Sequence, residues 1–319
     1  MTAPLVSVLM TAYNRERYIA SSIESVLAQT LGDFELLIVD DCSTDATLTI
    51  ARTCERRDSR VRVVANERNL GDYANRNRAA ELARGALLKY HDSDDLMYRH
   101  CLAAMAPPMV AYPEAALGLS SGKYWPGGPC PMLLTPRMAY QREFLGSSMF
   151  NAGPSGAIFR ADAFRALGGF PTAGPASDYL FWLRACARMP VLLLPADTFW
   201  YREHAGQEIQ RPDAARRYAE TVRDTWAALA DAACPLTPEE REQARRNVLW
   251  TQLKALRRDL GAGQCSLARA RLAAGPTAGE WLRYLRRPRR DKWAGTPLDA
   301  QGEYVLPRDL PVLEGDTRA

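Results

Sequence analysis

Short apolar runs separated by polar turns organise the first 90 residues of the chain. Residues 5–10 form an apolar run with β-branched members that ends at Thr11-Ala12-Tyr13-Asn14. Ile19, Ile23, Val26 and Leu27 then recur at helical spacing. A second run covers residues 34–39 and closes on Asp40-Asp41. Ser43-Thr44-Asp45 opens a helix over 46–56. Residues 61–65 read as a third strand, followed by 66–71 and a helix over 72–83 that Gly85 stops. The fourth run, 86–90, leads into His91-Asp92-Ser93-Asp94-Asp95. Strand and helix alternating in this way predict a parallel sheet covered by helices. Ligands of such sheets bind beyond the carboxyl ends of the strands. There the polar residues converge: Thr11 and Asn14, Asp40 and Asp41, residues 66–69, and Asp92 to Asp95.

The pattern is less regular further on. Residues 101–110 read as a helix broken up by Pro107, Pro108 and Pro113, and 115–120 as a buried strand. Residues 124–140 are rich in proline and glycine, with no regular pattern, and read equally as a lid or an insertion. A last short strand spans 190–195. Helical spacing returns over 212–233, and Thr237 followed by Pro238 opens a helix that runs to Leu260. Two short helices are expected at 266–274 and 278–287. The organisation expected is a domain at 1–205, a helical region at 206–295 and a tail at 296–319.

Composition narrows the class. The 319 residues are 47% hydrophobic and 24% charged, as in ordinary globular proteins. No apolar run approaches the roughly 20 residues that cross a bilayer, and the first residues do not read as a signal peptide. Seven cysteines without a CxxC pair predict reduced thiols and a cytoplasmic setting. Three histidines are too few for a multi-histidine centre, and a net charge of +4 gives no reason to expect nucleic acid. Residues 280–292 carry six basic against two acidic residues, and Trp281, Tyr284, Leu285 and Trp293 are interleaved with them. The stretch 280–293 reads either as a peripheral contact with an anionic membrane or as a solvated basic face.

The acidic cluster is the main chemical signal. Carboxylates this close repel one another, so they are either fully solvated or hold a cation. No GxGxxG follows the first strand, which disfavours a nicotinamide or flavin site. The stretch from Gly118 to Lys123 is one residue too short for a P-loop. A diphosphate bound here would need another counter-ion, such as a divalent metal on the carboxylates.

Ser7-Val8-Leu9-Met10-Thr11-Ala12-Tyr13-Asn14, Ile38-Val39-Asp40-Asp41-Cys42-Ser43-Thr44-Asp45, Asn69-Leu70-Gly71 and Asp92-Ser93-Asp94-Asp95 resemble the successive motifs of the family 2 glycosyltransferases. The resemblance covers about 5–205. It implies a GT-A fold: a Rossmann-like, mostly parallel α/β sheet flanked by helices, here with a helical C-terminal extension. It further implies inverting transfer from a nucleotide-diphosphate sugar, UDP-sugar favoured, with Mn2+ or Mg2+. The acceptor would be a carbohydrate or lipid-linked hydroxyl, in surface polysaccharide or glycoconjugate synthesis. Thr11, Ala12, Tyr13, Asn14, Asp40, Asn69, Gly71, Asn77, Asp92, Ser93 and Asp94 would bind the nucleotide sugar. Asp40 would accept from the base, Asp92 and Asp94 would form the DxD, and Asp94 would be the first metal ligand. Ser155 and Gly156, in the segment that ends in Gly168-Gly169-Phe170, would lie near the donor sugar and acceptor.

The match at 177–184 would make Asp178 the catalytic base, with Ser177 where the family has a second acid. From the residues alone Asp178 is ordinarily a helix cap or a partner of the helix dipole. The Tyr201-Arg202-Glu203-His204 element would bring His204 to the diphosphate or its metal. Ala12 replaces a common proline, and His91 stands where an apolar residue is usual and reads as a packing filler. A sugar-1-phosphate nucleotidyltransferase and a non-catalytic sugar-nucleotide binder are the rival readings.

Overall fold

The computed structural model describes residues 3–120, 130–146, 148–172, 174, 176–207, 210, 213–285 and 303–304. Its first half follows the expected alternation: β1 (Val6–Ala12), α1 (Ile19–Leu27), β2 (Phe34–Asp40), α2 (Thr47–Arg57), β3 (Val61–Ala65), α3 (Asp72–Leu82) and β4 (Leu87–Tyr90). β2 is buried at every position and β1 at all but one. Helices cover both faces, so both sides of each strand need apolar residues. β1 lies between β2 and β4 and runs parallel to both, and β3 continues beyond β2. The strand order therefore reverses beside β1, which opens a crevice at the carboxyl ends of β1 and β4.

Beyond β4 come β5 (Leu96–Met97), α4 (Cys101–Ala111), β6 (Leu117–Ser120), β7 (Met132–Leu134), α5 (Pro136–Leu145), β8 (Ala157–Arg160), α6 (Ala161–Ala166), α7 (Ser177–Cys186), β9 (Val191–Leu194) and β10 (Phe199–Trp200). β6 to β9, with β11 (Glu303–Tyr304), complete a nine-stranded sheet, ordered β11-β7-β9-β6-β8-β4-β1-β2-β3. This half of the sheet is mixed. β8 runs antiparallel to both β4 and β6, while β9 is parallel to β6. The antiparallel β8 brings its first residues to the carboxyl end of β4. β10 pairs with β5 in a separate two-stranded ribbon.

The alternation of side chains along β1 feeds two cores. Val8 and Met10 pack with Ile19, Ile23 and Met105 on one face. Leu9 faces the other, which holds Tyr90, Phe159, Phe164, Phe170, Phe181 and Trp182. These rings meet mostly edge-on or tilted, with centroids 5.0–6.2 Å apart.

Two stretches differ from expectation. α4 runs through Pro107 and Pro108 and ends at Ala111, with both rings buried against the core. Packing outweighs the lost helix bonds. Within 124–140, the part from 130 on is largely regular: β7, then α5, whose N-cap Thr135 accepts from Met138 N and is followed by Pro136. Residues 121–129 lie outside the described residues.

The C-terminal helices are α8 (Ala214–Ala219), α9 (Val222–Ala230), α10 (Pro238–Gly261), α11 (Cys265–Ala274) and α12 (Ala278–Leu285). A capping box starts α10: Thr237 Oγ1 accepts from Glu240 N and the Glu240 carboxylate accepts from Thr237 N. Glu240, buried, also accepts from Arg137 and Gln141 on α5. Leu229, Cys234, Leu236 and Ala244 belong to the same core as Tyr140 and Phe144. Among the described residues no helix is long and apolar enough to cross a membrane. Of the basic stretch 280–293, residues 286–293 lie outside the described residues, as do 296–302 and 305–319 of the expected tail.

Candidate active site

The loops after β1 and β2 are laced together. Asn14, at φ +52, donates its N–H to Ser43 Oγ at 3.0 Å, and its Oδ1 accepts from Thr44 N at 2.9 Å. Asn tolerates that left-handed backbone better than most residues. Arg15 N donates to Thr47 Oγ1, and Glu16 exchanges bonds with Asp45 and Ala46 N. Asp40 closes β2 with one carboxylate oxygen accepting from Ser43 N at 3.0 Å. Its other oxygen, Oδ1, is buried and has no partner among the described residues. A buried acceptor left unpaired is costly unless a ligand donates to it. Tyr13 stands 47% exposed beside this loop, and Thr11 and Ala12 end the strand beneath it.

Asp41 is structural. Its carboxylate accepts from Asn66 Nδ2, Leu70 N and Gly71 N at 2.7–2.9 Å. Asn69 bonds Asp41 O and Gly71 N, and Gly71 takes φ +85. Asn69 and Gly71 thus shape the wall of the crevice. Asn77 is committed elsewhere: its amide pairs with both N and O of Phe170. Gly169, at φ +67, leaves room for it, since a Cβ there would lie 2.6 Å from Asn77 Oδ1.

The acidic cluster divides into three environments. Asp92 is paired with Arg76 of α3 at 2.7 Å, and its N–H donates to Ser155 Oγ at 3.0 Å. Burial alone would raise its carboxyl, but the Arg76 guanidinium and the hydrogen bonds hold it below the usual value. Asp94 Oδ2 accepts from His204 Nε2 at 2.9 Å and from Arg15 Nε at 3.0 Å. Gly206 N donates to His204 Nδ1, which assigns the ring proton to Nε2. Asp95 is fully buried. Arg202 N donates to its Oδ1, and Oδ2 has no partner among the described residues. Burial first, then repulsion from Asp92 and Asp94, pushes its carboxyl up to about 8. Ser93 is buried between them. His91 is fully buried, and desolvation pulls it down to about 3, so it packs as a neutral ring.

Beneath the cluster, Lys89 is wholly buried and donates to the carbonyls of Tyr90 and Ser155. Ser155 and Gly156 form a buried 3-10 turn at the start of β8, in reach of Asp92 because β8 is antiparallel. Arg202 donates to Asp94 O at 2.7 Å and lies over the rings of Tyr18 and Trp200.

Asp178 sits in the first turn of α7 and its carboxylate accepts from Tyr179 N at 2.8 Å. Ser177 beside it is buried and bonds Gly174 O. Burial raises the Asp178 carboxyl; the Tyr179 N–H, the Tyr73 hydroxyl and the Arg76 charge pull against it. Tyr73 and Arg76 both belong to α3, one turn apart. One helix therefore touches Asp92 and Asp178.

The sequence motifs thus fall into one crevice through a continuous chain of contacts: Asp40 to Ser43, Ser43 to Asn14, Arg15 to Asp94, Asp94 to His204. Arg15, Tyr73, Arg76 and Arg202 were not among the candidate site residues. Asp72 and Arg76 at i, i+4 were a readable ion pair, but nothing in spacing pointed either Tyr73 or Arg76 across the fold. Among the described residues no three His, Cys, Asp or Glu side chains form a metal cluster. The Asp94 oxygen and His204 nitrogen would fit one ion once the Nε2 proton passes to Nδ1, since 2.9 Å is close to the ~3 Å between neighbouring ligands of an octahedral ion bound at about 2.1 Å.

A central sheet flanked by helices, with an acidic strand end at its crevice, is the architecture of GT-A glycosyltransferases. Residues 7–168, over half of the chain, match the model of glycosyl transferase family 2, and the chain belongs to that family. Among curated relatives it is 46% identical over 92 residues to TuaG of Bacillus subtilis, named for teichuronic acid biosynthesis, which is 29% of this chain and 36% of that one. It is 42% identical over 92 residues to the UDP-Glc:alpha-D-GlcNAc-diphosphoundecaprenol beta-1,3-glucosyltransferase WfgD of Escherichia coli, with the same shares, 29% and 36%. The matched stretch thus spans about a third of these relatives' length.

Among solved structures, the mannosyltransferase PcManGT from Pyrobaculum calidifontis, in complex with GDP-Man and Mn2+, superposes with a TM-score of 0.57 at 20% identity, over 89% of this chain and 84% of that one. S. aureus TarS 1-349 in complex with UDP-GlcNAc gives 0.56 at 23% identity, over 76% and 70%. Both likenesses speak for the fold.

Proposed function

We propose that this chain is an inverting glycosyltransferase that moves a sugar from a nucleotide-diphosphate donor, a UDP-sugar by preference, to an acceptor hydroxyl. The observation that supports this reading is an unpaired buried acceptor at Asp40, the Asp94–His204 contact, and a desolvated carboxylate at Asp178 that α3 links to Asp92. The nucleotide lies across residues 11–14, with Asp40 Oδ1 accepting from a base N–H and Tyr13 offering its exposed ring. Asp94 and His204 would hold a Mg2+ or Mn2+ ion. That ion supplies Lewis-acid neutralisation of the departing diphosphate. Asp92, kept ionised by Arg76, orients the turn that carries Asp94, and Ser155 and Gly156 border the donor sugar.

Asp178 takes the proton of the acceptor hydroxyl as it attacks the anomeric carbon from the face opposite the leaving group. Burial makes its carboxylate a stronger base than a solvated one. The attack is a single displacement, so no covalent sugar–enzyme intermediate forms. The family relatives' names support an acceptor in surface polysaccharide synthesis, lipid-linked or carbohydrate. The membrane contact of 280–293 belongs to the same proposal.

The test is release of free nucleoside diphosphate from a panel of nucleotide sugars, with and without Mn2+. Asp178→Asn is expected to lower kcat by about 100-fold or more while UDP affinity stays within about twofold. Unaltered turnover in that variant removes Asp178 from the mechanism, and a panel with no diphosphate release turns the protein into a binder.

A further inference from the structure

Arg15 occupies an unusual place. Its Nε lies 3.0 Å from Asp94 Oδ2, the same oxygen that accepts from His204 Nε2 at 2.9 Å. The side chain does not reach there loosely. Nη1 donates to the carbonyls of Tyr13 and Asn14, both at 3.1 Å, and the backbone N–H is tied to Thr47 Oγ1. The left-handed turn at Asn14 folds the chain back so that the guanidinium sits over its own loop. The side chains of Arg15 and Asp94 are 26% and 12% exposed, so the pair is partly shielded from water. Asp94 therefore already has a cation, placed between the nucleotide loop and the carboxylate.

A divalent ion and this guanidinium compete for one oxygen. The guanidinium is tethered, so it competes at a high effective concentration. An ion arriving alone must displace it without offering it a new partner. A diphosphate arriving with the ion does offer one, because a guanidinium fork matches phosphate oxygens.

We propose that Arg15 is a place-holding cation: it neutralises Asp94 until a divalent ion and the donor's diphosphate arrive together, and then turns from Asp94 onto the diphosphate. The exchange breaks and makes ion pairs, and one proton moves. His204 Nε2 gives up the hydrogen it donates to Asp94 before that nitrogen can take the ion, passing it through solvent to Nδ1, which then no longer accepts from Gly206 N. Its consequence is coupling. Metal and nucleotide each bind weakly alone and tighten one another by the same factor, as linkage requires. The proposal rests on the metal reading of Asp94 and His204.

Mn2+ binding to the full chain tests it, followed through the electron-spin resonance signal of free Mn2+, alone and with saturating UDP or GDP. In the wild-type protein the nucleotide is expected to tighten Mn2+ binding about tenfold or more, within the usual range of coupling between sites. In Arg15→Ala and Arg15→Gln, Mn2+ alone is expected to bind about tenfold tighter than in the wild type, and the nucleotide to add little. Arg15→Gln keeps an amide that can donate to the Tyr13 and Asn14 carbonyls, so it guards against a collapsed loop in Arg15→Ala. Asp94→Asn is expected to abolish uptake in all conditions. If the wild type takes up Mn2+ with nucleotide, but neither Arg15 variant binds Mn2+ alone more tightly, the place-holding role is overturned and the metal reading stands. If the wild type takes up no Mn2+ even with nucleotide, the metal reading falls and this inference with it.

Discussion

At the scale of single residues, the crevice shows how one residue type is given different work by its neighbours. Asp92 is held ionised by a buried arginine, Asp94 is open to cations, and Asp95 is pushed toward its neutral form by burial. Asp178 is raised by burial and pulled back by Tyr73 and Arg76, with Asp72 opposing them. Those three are the charged or titratable groups that act on it from α3. As the proposed base, Asp178 would work in its ionised form, so activity is expected to fall as pH drops through its value, at a higher pH than for a solvated carboxylate. Tyr73→Phe removes a hydrogen bond to the charged form and raises that value further. The acid limb of the kcat profile is therefore expected to move to higher pH, with donor KM little changed. A profile that keeps its acid limb after the substitution would show that the Tyr73 hydroxyl does not tune the base.

At the scale of elements, strands and helices up to residue 90 were legible because apolar period and turn chemistry agree there. β3 spans Val61–Ala65, the residues read from the sequence, and α3 ends one residue earlier than expected. The misses have physical causes. α4 keeps its helix through two prolines because burial against the sheet outweighs their local cost. β7 and α5 lie next to a proline- and glycine-rich stretch, and that composition masked a short strand and a properly capped helix. The contacts of Arg15 and Tyr73 were not legible at all, since each depends on which loop or helix faces it after folding.

α10 offers a clear test at this scale. Glu240 closes its own capping box and accepts from two α5 side chains, so it joins the helix start to the sheet-covering layer. Glu240→Ala is expected to cost about 2 kcal/mol, read as a lower midpoint in denaturant. A change within about 0.5 kcal/mol, the usual range for a surface substitution, would mean that the contact is idle.

At the scale of the whole molecule, the sequence suggested a catalytic domain followed by a helical region, and the described residues show how closely the two are packed. Leu229, Cys234, Leu236 and Ala244 share a core with Tyr140 and Phe144, while Thr225 bonds Tyr179 on the helix that carries Asp178. A fragment ending at 205 would leave that core open to water. It is expected to aggregate or to melt well below the full chain, which light scattering and circular dichroism would show. A monomeric fragment with the full chain's melting temperature would mean that the helices are an independent unit.

α3 has one more consequence. Tyr73 and Arg76 are three residues apart on one rigid helix, a rise of about 4.5 Å. One leads to the proposed base and the other to the turn that carries Asp94. In a displacement through one carbon, the entering and leaving groups must stand a set distance apart. In the proposed reaction, the helix bonded to both sides is the rigid element that would hold that distance.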